Sequence, residues 1–179
     1  MRIIIFVLLT LSTIVSAQDS DLGATKSLAE QGDAKAQFNL GYMYDNGDGI
    51  PENDAEAVKW YRLAAEQGYL KAQFNLGVMY KKGDGIPEND LEAVKWFRLS
   101  AEQGDAKSQY MVGVMYHNGG GVPKNHLTAY VWMSVAAARG NQLAKDNIAI
   151  VKKSLTNEQL AQGQTLASTC FESSFKDCP

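Results

Sequence analysis

The sequence predicts an all-α solenoid built from stacked helix pairs, and three observations support that fold class. The chain repeats itself every 36 residues, and the first two copies agree at 28 of 36 positions. Apolar residues in each copy recur with the period of a helix, and no segment alternates with the period of a strand. Glycines and prolines recur in register between the apolar segments. A period of about 20–50 residues is typical of repeat architectures.

The first 17 residues have the pattern of a secretory signal peptide. Arg2 supplies a short positive region, residues 3–15 are apolar, and Val15-Ser16-Ala17 offers small residues for cleavage. The apolar run is too short to span a membrane, which takes about 20 residues. We therefore expect an exported protein, periplasmic or secreted, without stable membrane insertion after cleavage.

The remaining chain is expected to form one helical repeat domain followed by a short tail. The domain covers 18–169, with full repeats at about 33–68, 69–104 and 105–140 and partial capping units at 20–32 and 141–169. Altered terminal units end a solenoid with a polar face. The formal charge is −3, so the chain has no general attraction for nucleic acid.

The first helix of each unit is predicted over roughly 34–46 in the first copy. Its apolar residues fall at spacings of four, seven and eight: Ala36, Leu40, Met43 and Tyr44. Gly41 lies inside this helix, where glycine costs about 1 kcal/mol relative to alanine. The same glycine recurs in both later copies, which predicts a close approach between helices.

The segment YDNGDGIPEND, Tyr44–Asp54, contains enough aspartate to suggest a calcium loop. An EF-hand needs oxygen ligands at its first, third and fifth positions and glycine at its sixth. Counted from Asp45, the third and fifth residues are glycines and the sixth is Ile50, and the second copy places Lys81 and Lys82 in the loop. Glycine and proline recur in every copy, and both residue types favour turns. We therefore predict a repeated turn and no metal.

The second helix is predicted to begin at a cap, Asn53 or Asp54, with Glu56 in a capping-box position. Its predicted buried stripe consists of Ala57, Trp60, Leu63 and Ala64. Gly68 is predicted to end the helix as a C-terminal cap.

Two further helices and a tail follow the third repeat. A first-type helix is predicted from Ala144 to Lys153, and a last helix from Thr156 or Asn157 to about Ser168. The two cysteines, Cys170 and Cys178, lie in the tail. Export favours a disulfide between them, although two free thiols are the alternative. The disulfide would pin the tail, residues 170–179.

The motifs LGxMY and GDGIPENDxEAVKWxRLxAEQG, together with the 36-residue period, resemble Sel1-like repeats, a subclass of tetratricopeptide-like helical repeats. The resemblance is strong from Asp33 to Gly140 and weaker in the flanks. In the third copy Gly120 and Lys124 replace an aspartate and a glutamate, and His126-Leu127-Thr128 replaces Asp-x-Glu, so the start of its second helix departs from the pattern of the first two copies. The resemblance implies a right-handed superhelix of antiparallel helix pairs. It also implies an adaptor role, because members of that family assemble protein complexes.

The fragments that resemble enzyme motifs are incomplete. HNGGG, His117–Gly121, is similar to a lipase oxyanion segment, and Ser173-x-x-Lys176 to a serine β-lactamase fragment, but the companion motifs are missing. His117 and His126 have no thiolate nearby to complete a zinc site. We predict no enzyme activity, catalytic residue, metal or cofactor, and β-lactam binding remains a remote alternative.

A second alternative concerns the aromatic residues that recur in register: Trp60, Trp96, Trp132, Tyr44, Tyr80 and Tyr116. Such a series is compatible with carbohydrate stacking, but helical spacing favours a place in the core.

The predicted function is non-enzymatic binding of a protein or peptide on the concave face of the solenoid. The residues assigned to that face are Lys35, Phe38, Tyr42, Asp45, Asn46, Lys71, Phe74, Val78, Lys81, Lys82, Lys107, Tyr110, Val114, His117 and Asn118. Three of the eight differences between the first two copies fall here, through selection by a partner or through drift. Charge reversal at Lys81 and Lys82 is predicted to weaken binding to an acidic partner. The alternative partner is a host protein bound by a secreted factor.

Overall fold

The computed structural model describes residues 22–179, which form nine helices and no strand. The predicted signal peptide lies outside the described residues. The helices are α1 (22–30), α2 (Ala34–Asn46), α3 (Asp54–Glu66), α4 (Leu70–Lys82), α5 (Asp90–Glu102), α6 (Ala106–Asn118), α7 (His126–Ala138), α8 (Gln142–Lys152) and α9 (Asn157–Glu172). Each helix from α2 to α7 packs on the next, and α9 packs back on α7. The predicted all-α solenoid of helix pairs is confirmed.

The turn between the two helices of a unit follows the predicted backbone chemistry. Gly47 ends α2 in the left-handed region with φ 67°, and Gly49 has φ 75°. Asn53, rather than Asp54, caps α3 by accepting a hydrogen bond from the backbone N–H of Glu56 at 3.1 Å. The backbone N–H of Asn53 donates to the Tyr44 carbonyl instead of to the Glu56 side chain. The capping box predicted there is therefore only half formed.

The second glycine of each later turn rests on the preceding repeat. A Cβ atom added at Gly85 would lie 2.4 Å from the carbonyl carbon and oxygen of Asp54, and one at Gly121 would lie equally close to the backbone of Asp90. At Gly49, which has no full repeat before it, the nearest atom is the Met43 methyl at 3.6 Å. These turns are therefore packing contacts between repeats as well as connections.

The helical glycines mark close approaches, as predicted. A Cβ atom at Gly41 would lie 2.7 Å from the Tyr61 ring. Tyr61 is completely buried, whereas Trp60 is half-buried and Leu63 is 39% exposed. The prediction of Leu63 in the buried stripe of α3 is wrong, because the contact with Gly41 turns Tyr61 inward. Trp60 is only half-buried, and it packs against the cluster that contains Ala36 and Leu40.

The recurrent aromatic residues occupy different environments in different repeats. Trp132 and Tyr80 are buried, and the other four, Trp60, Trp96, Tyr44 and Tyr116, are half-buried. The first two lie within the core, and the other four pack against its edge, so the predicted core place is fully met by two residues and partly met by four. Trp132 is fully covered because the tail folds over it, with its indole N–H donating to the Pro179 carbonyl at 2.8 Å.

The C-terminal region extends and anchors the last repeat. Helix α8 begins two residues before the predicted Ala144, and α9 runs four residues beyond Ser168. A disulfide joins Cys170 and Cys178. The guanidinium of Arg98 donates to the Cys178 carbonyl at 3.1 Å. Among residues 22–179, no helix combines the length and apolar character needed to cross a bilayer.

Candidate functional site: a groove along the first helices

One face of the solenoid is formed by the first helix of each unit, namely α2, α4 and α6, together with α8 in the same register. We refer to it as the first-helix face. All fifteen residues predicted for the concave face lie on α2, α4 and α6, and none of them is buried. The 36-residue register brings equivalent side chains into rows across these helices.

Two cavities on the first-helix face join into one groove. The larger, of about 490 Å³, lies between α4, α6 and α8, and the smaller, of about 310 Å³, lies between α2, α4 and α6. Phe74 and Lys107 line both cavities, so the groove is continuous. Its apolar floor comes mainly from Phe38, Phe74, Tyr110, Met111 and Leu143.

A third, smaller cavity of about 160 Å³ adjoins the groove between α6 and α8. Tyr110 lines this cavity as well as the groove, and Val114 and His117 continue it along α6. Asn147 and Ile150 contribute from α8. The first-helix face therefore presents a recessed surface across four helices.

Nine of the fifteen predicted residues line these three cavities: Phe38, Tyr42, Lys71, Phe74, Lys107, Tyr110, Val114, His117 and Asn118. The other six lie on the same helices but line none of the three: Lys35, Asp45, Asn46, Val78, Lys81 and Lys82. These nine are part of the lining, which also includes residues of α8 and of the segments that connect the helices.

The aromatic side chains of the groove are held in place from below and from the side. The Phe38 ring centroid lies 5.2 Å from that of Tyr69 and 5.8 Å from that of Tyr61. The Phe74 ring packs on Phe97 at 5.8 Å. Aromatic pairs at 4.5–7 Å stabilise beyond the area they bury, by roughly 0.5–1.5 kcal/mol. The floor of the groove is therefore preorganised, which lowers the entropy lost on binding.

The lysines of the first-helix face fall into two groups. The Lys81 ammonium lies 3.0 Å from Asp90 and 3.8 Å from Glu88, and the hydrogen bond to Asp90 raises the pKa of Lys81. Lys82 lies 3.6 Å from Asp84. These two charges are compensated within the chain. By contrast, the exposed residues Lys35, Lys71 and Lys107 form no ion pair within the described part of the chain.

The two histidines meet at the end of the groove. Their Nδ1 atoms, on His117 and His126, are 3.1 Å apart, so one ring donates a proton and the other accepts it. Partial burial, the neighbouring His126 and the charge of Lys124 lower the pKa of His117. Across residues 22–179, no three His, Cys, Asp or Glu side chains are grouped as a metal site requires.

The fragments that resemble enzyme motifs have structural partners. Gly119, in the HNGGG segment, ends α6 with φ 79°, as its counterparts end α2 and α4. The Ser173 hydroxyl donates to the Cys170 carbonyl and accepts from the backbone N–H of Asp177, each at 3.1 Å. These groups therefore belong to a repeat turn and to the turn of the tail.

The sequence prediction missed the contribution of α8 to the groove. Leu143, which is 57% exposed, lines the larger cavity, and its position in the register corresponds to Lys107. Asn147 donates to the Tyr110 hydroxyl at 3.1 Å and so connects α8 to α6. Extending the 36-residue register one unit further from Lys107 identifies Leu143, whereas Asn147 corresponds to Met111, which is not among the fifteen predicted residues.

Comparisons with known proteins agree with this architecture. The family model described as Sel1 repeat matches residues 34–69, 70–105 and 106–141. The chain is similar to a protective antigen present in uropathogenic Escherichia coli strains that displays an SLR fold, with 33% identity over 86% of this chain and a TM-score of 0.78. It spans 34% of that longer protein.

A second similar structure is a Sel1 repeat protein from Oxalobacter formigenes. It is 43% identical, with a TM-score of 0.66 over 72% of this chain and 97% of its own. Among curated proteins, none matches the sequence. Because the three matched segments adjoin and cover more than half of its length, the chain belongs to the Sel1 repeat family.

Proposed function

We propose that the protein is an exported, non-enzymatic scaffold that binds a segment of another protein in the groove of its first-helix face. Sel1 repeat proteins are in general scaffolds for protein–protein interactions. The observation that carries the proposal for this chain is the continuous apolar groove across α2, α4, α6 and α8. Concave, mostly apolar sites with a few polar groups are typical binding sites.

Exposure supports the same surface. Tyr42 is 47% exposed at one end of the groove, and Leu143 is 57% exposed at the other. Large side chains in such positions bury apolar area when a partner docks, at roughly 25 cal/mol per Å². Aromatic anchors surrounded by polar groups commonly provide most of the energy of an interface.

Export rests on the leader-like segment before residue 18 and on the disulfide of the tail. Disulfides persist in oxidising compartments. The similar antigen of uropathogenic Escherichia coli supports a location at or beyond the cell envelope. Immunoblotting of culture medium, periplasm and cytoplasm tests this location and separates a periplasmic adaptor from a released factor that binds a host protein.

Affinity capture with paired baits tests the binding site. The groove bait carries Tyr42→Ala and Leu143→Ser, and the control bait carries Leu91→Ser and Leu99→Ser, which are exposed leucines of α5. A protein held by the wild-type and control baits but lost by the groove bait supports the proposal. Equal capture by all three folded baits excludes the groove as the binding site.

A further inference from the structure

We infer that the groove binds a protein segment in which aspartate or glutamate stands beside large apolar side chains. This inference rests on the proposed function and adds the chemistry of the partner. It depends on three features of the groove: cations that line it, the scarcity of carboxylates among its lining residues, and its apolar floor.

Three cationic side chains line the groove. Lys71 and Lys107 line the smaller cavity, and Lys107 and Arg139 line the larger one. All three side chains are exposed. Within residues 22–179 no carboxylate forms an ion pair with any of them. The groove therefore presents positive charge that the chain itself does not compensate, and such charge favours an acidic partner.

One carboxylate lines the groove. It is that of Asp105, in the smaller cavity, and it caps α6 by accepting a hydrogen bond from the backbone N–H of Ser108 at 2.7 Å. Among residues 22–179, no Asp or Glu lines the larger cavity. Three cations against one carboxylate leave the groove positive, although the formal charge of the chain is −3.

The guanidinium of Arg139 is held in position by the tail. It lies over the Phe175 ring, 5.1 Å from the ring centroid, and Phe175 is buried inside the loop that the disulfide closes. Gly104 leaves room for this contact, because a Cβ atom added there would lie 3.1 Å from the Phe175 ring and 3.4 Å from Nη2 of Arg139. A guanidinium placed over a ring keeps the N–H donors of its edge free, and these donors match the two oxygens of a carboxylate.

The two lysines of the groove stand where helix stability disfavours them. Lys71 and Lys107 are each the second residue of their helices, α4 and α6. The first turn of a helix favours acidic side chains, because its backbone N–H groups carry partial positive charge. The first turn of α3 follows that preference with Asp54 and Glu56, whereas the first turns of α4 and α6 contain no acidic residue. A contact outside the helix therefore accounts better for lysine at these positions.

The apolar floor of the groove requires apolar side chains in the ligand as well. Phe74, Tyr110 and Met111 are half-buried and Leu143 is exposed, so apolar area is left for a partner to cover. A polyanion such as nucleic acid would place charged phosphates against this floor and gain nothing from it. A protein segment that combines carboxylates with large apolar side chains pairs with the cations and also removes apolar surface from water, which is favourable.

The probe is a phage library of random twelve-residue peptides, selected on the folded exported protein. We expect Asp and Glu to be enriched at least about twofold over the unselected library, with a large apolar residue within two positions of the acid. Retained peptides without acidic enrichment overturn the inference, and so does failure to retain any peptide. Laurate, which also joins a carboxylate to an apolar chain, is titrated separately. Binding of laurate with no peptide retained would identify a lipid ligand and overturn the inference.

Two analogues of the most enriched peptide test the two parts of its chemistry. One analogue replaces every Asp and Glu with Asn and Gln, and the other replaces the large apolar residues with serine. Fluorescence anisotropy of the labelled peptides measures their affinities. We expect each analogue to bind at least about tenfold more weakly, because charge-assisted contacts or buried apolar area are lost. Unchanged affinity of either analogue overturns the inference.

Two pairs of substitutions in the protein locate the contact. Lys107→Gln with Arg139→Gln removes both cations of the larger cavity and is expected to weaken binding of the enriched peptide by about tenfold or more. Lys26→Gln with Lys145→Gln removes two exposed cations that have no ion pair among the described residues and line none of the three cavities. This control pair is expected to change affinity by less than about twofold, because screening weakens distant charges. With both variants shown to be folded by circular dichroism, equal effects would mean that binding responds to net charge alone, which contradicts the inference.

The capture experiment separates this inference from the proposed function. If the groove bait loses a partner while the library yields no acidic and apolar peptides, the scaffold function stands and the inferred ligand chemistry is wrong. If the enriched peptide binds through Lys107 and Arg139 while capture is independent of the groove, the ligand chemistry stands and the proposed site of the native partner is wrong.

Discussion

A paired substitution, Gly85→Ala and Gly49→Ala, tests whether the turns hold the repeats together. Both glycines occupy the same position of the turn and have left-handed backbones, with φ 66° and 75°. They differ in what lies beneath them. Gly85 rests on the backbone of Asp54, whereas Gly49 has only the Met43 methyl within 4 Å.

The expected magnitudes follow from this difference. Alanine in the left-handed region costs about 1–2 kcal/mol, and the loss of chain entropy in the unfolded state offsets about 0.4–1 kcal/mol of it. Gly49→Ala should therefore lower the free energy of unfolding by about 1 kcal/mol. At Gly85 the new Cβ atom would also lie 2.4 Å from backbone atoms. Overpacking of this kind adds about 1–3 kcal/mol, for a total of about 3 kcal/mol.

Urea unfolding followed by circular dichroism measures both values on the same day and in the same buffer. The difference of about 2 kcal/mol corresponds to a shift in midpoint temperature of roughly 4–8 °C for a chain of this size. Equal destabilisation by the two substitutions would refute the reasoning, because strain at the left-handed backbone would then account for the whole effect and the contact between repeats for none.

Three further perturbations test the core, the tail and the histidine pair. Phe97→Ala should lower the free energy of unfolding by about 3–5 kcal/mol in the same urea assay, because the Phe97 ring is fully buried. Replacing both Cys170 and Cys178 with serine should destabilise the protein by about 2 kcal/mol and shift tryptophan emission to longer wavelength, because the tail covers Trp132; unchanged emission would show that the tail stays docked. Since the pKa of His117 is lowered in the folded protein, the unfolded chain binds more protons below pH 6.5, and stability should fall as pH falls through that value. Midpoint temperatures at pH 7.5 and 5.5 should show a smaller fall for His117→Gln than for the wild type.

Features encoded by local chemistry were predictable from the sequence. The bounds of α2, the glycine turns and the close approach at Gly41 all follow from glycine, proline and the period of 36. These signals act within one repeat or between adjacent repeats. A single copy therefore contains nearly all the information, and each further copy confirms it.

Features decided by helix rotation or by distant contacts were not predictable in the same way. Trp60 and Tyr61 lie three and four residues after the buried Ala57, so both satisfy helical spacing, and the approach of Gly41 decides that Tyr61 faces inward. Trp132 is buried by a tail 47 residues further along the chain. The residues next to Tyr61 and Trp132 in the sequence therefore do not indicate that these two side chains are buried.

The charges of the first-helix face show where selection by a partner is best sought. The differences between the first two copies suggested that Lys81 contacts a partner, because Lys81 replaces the aspartate of the first copy. Its hydrogen-bonded ion pair with Asp90 gives that replacement a role within the chain. A Lys81→Glu variant would place two carboxylates together, so weaker binding would be confounded with lower stability. Lys71 and Lys107 have no such partner among the described residues, so a change of affinity on their reversal reports on the ligand. The positions that report on partner binding are therefore those whose residue is the same in every repeat and is not explained by an ion pair within the described residues.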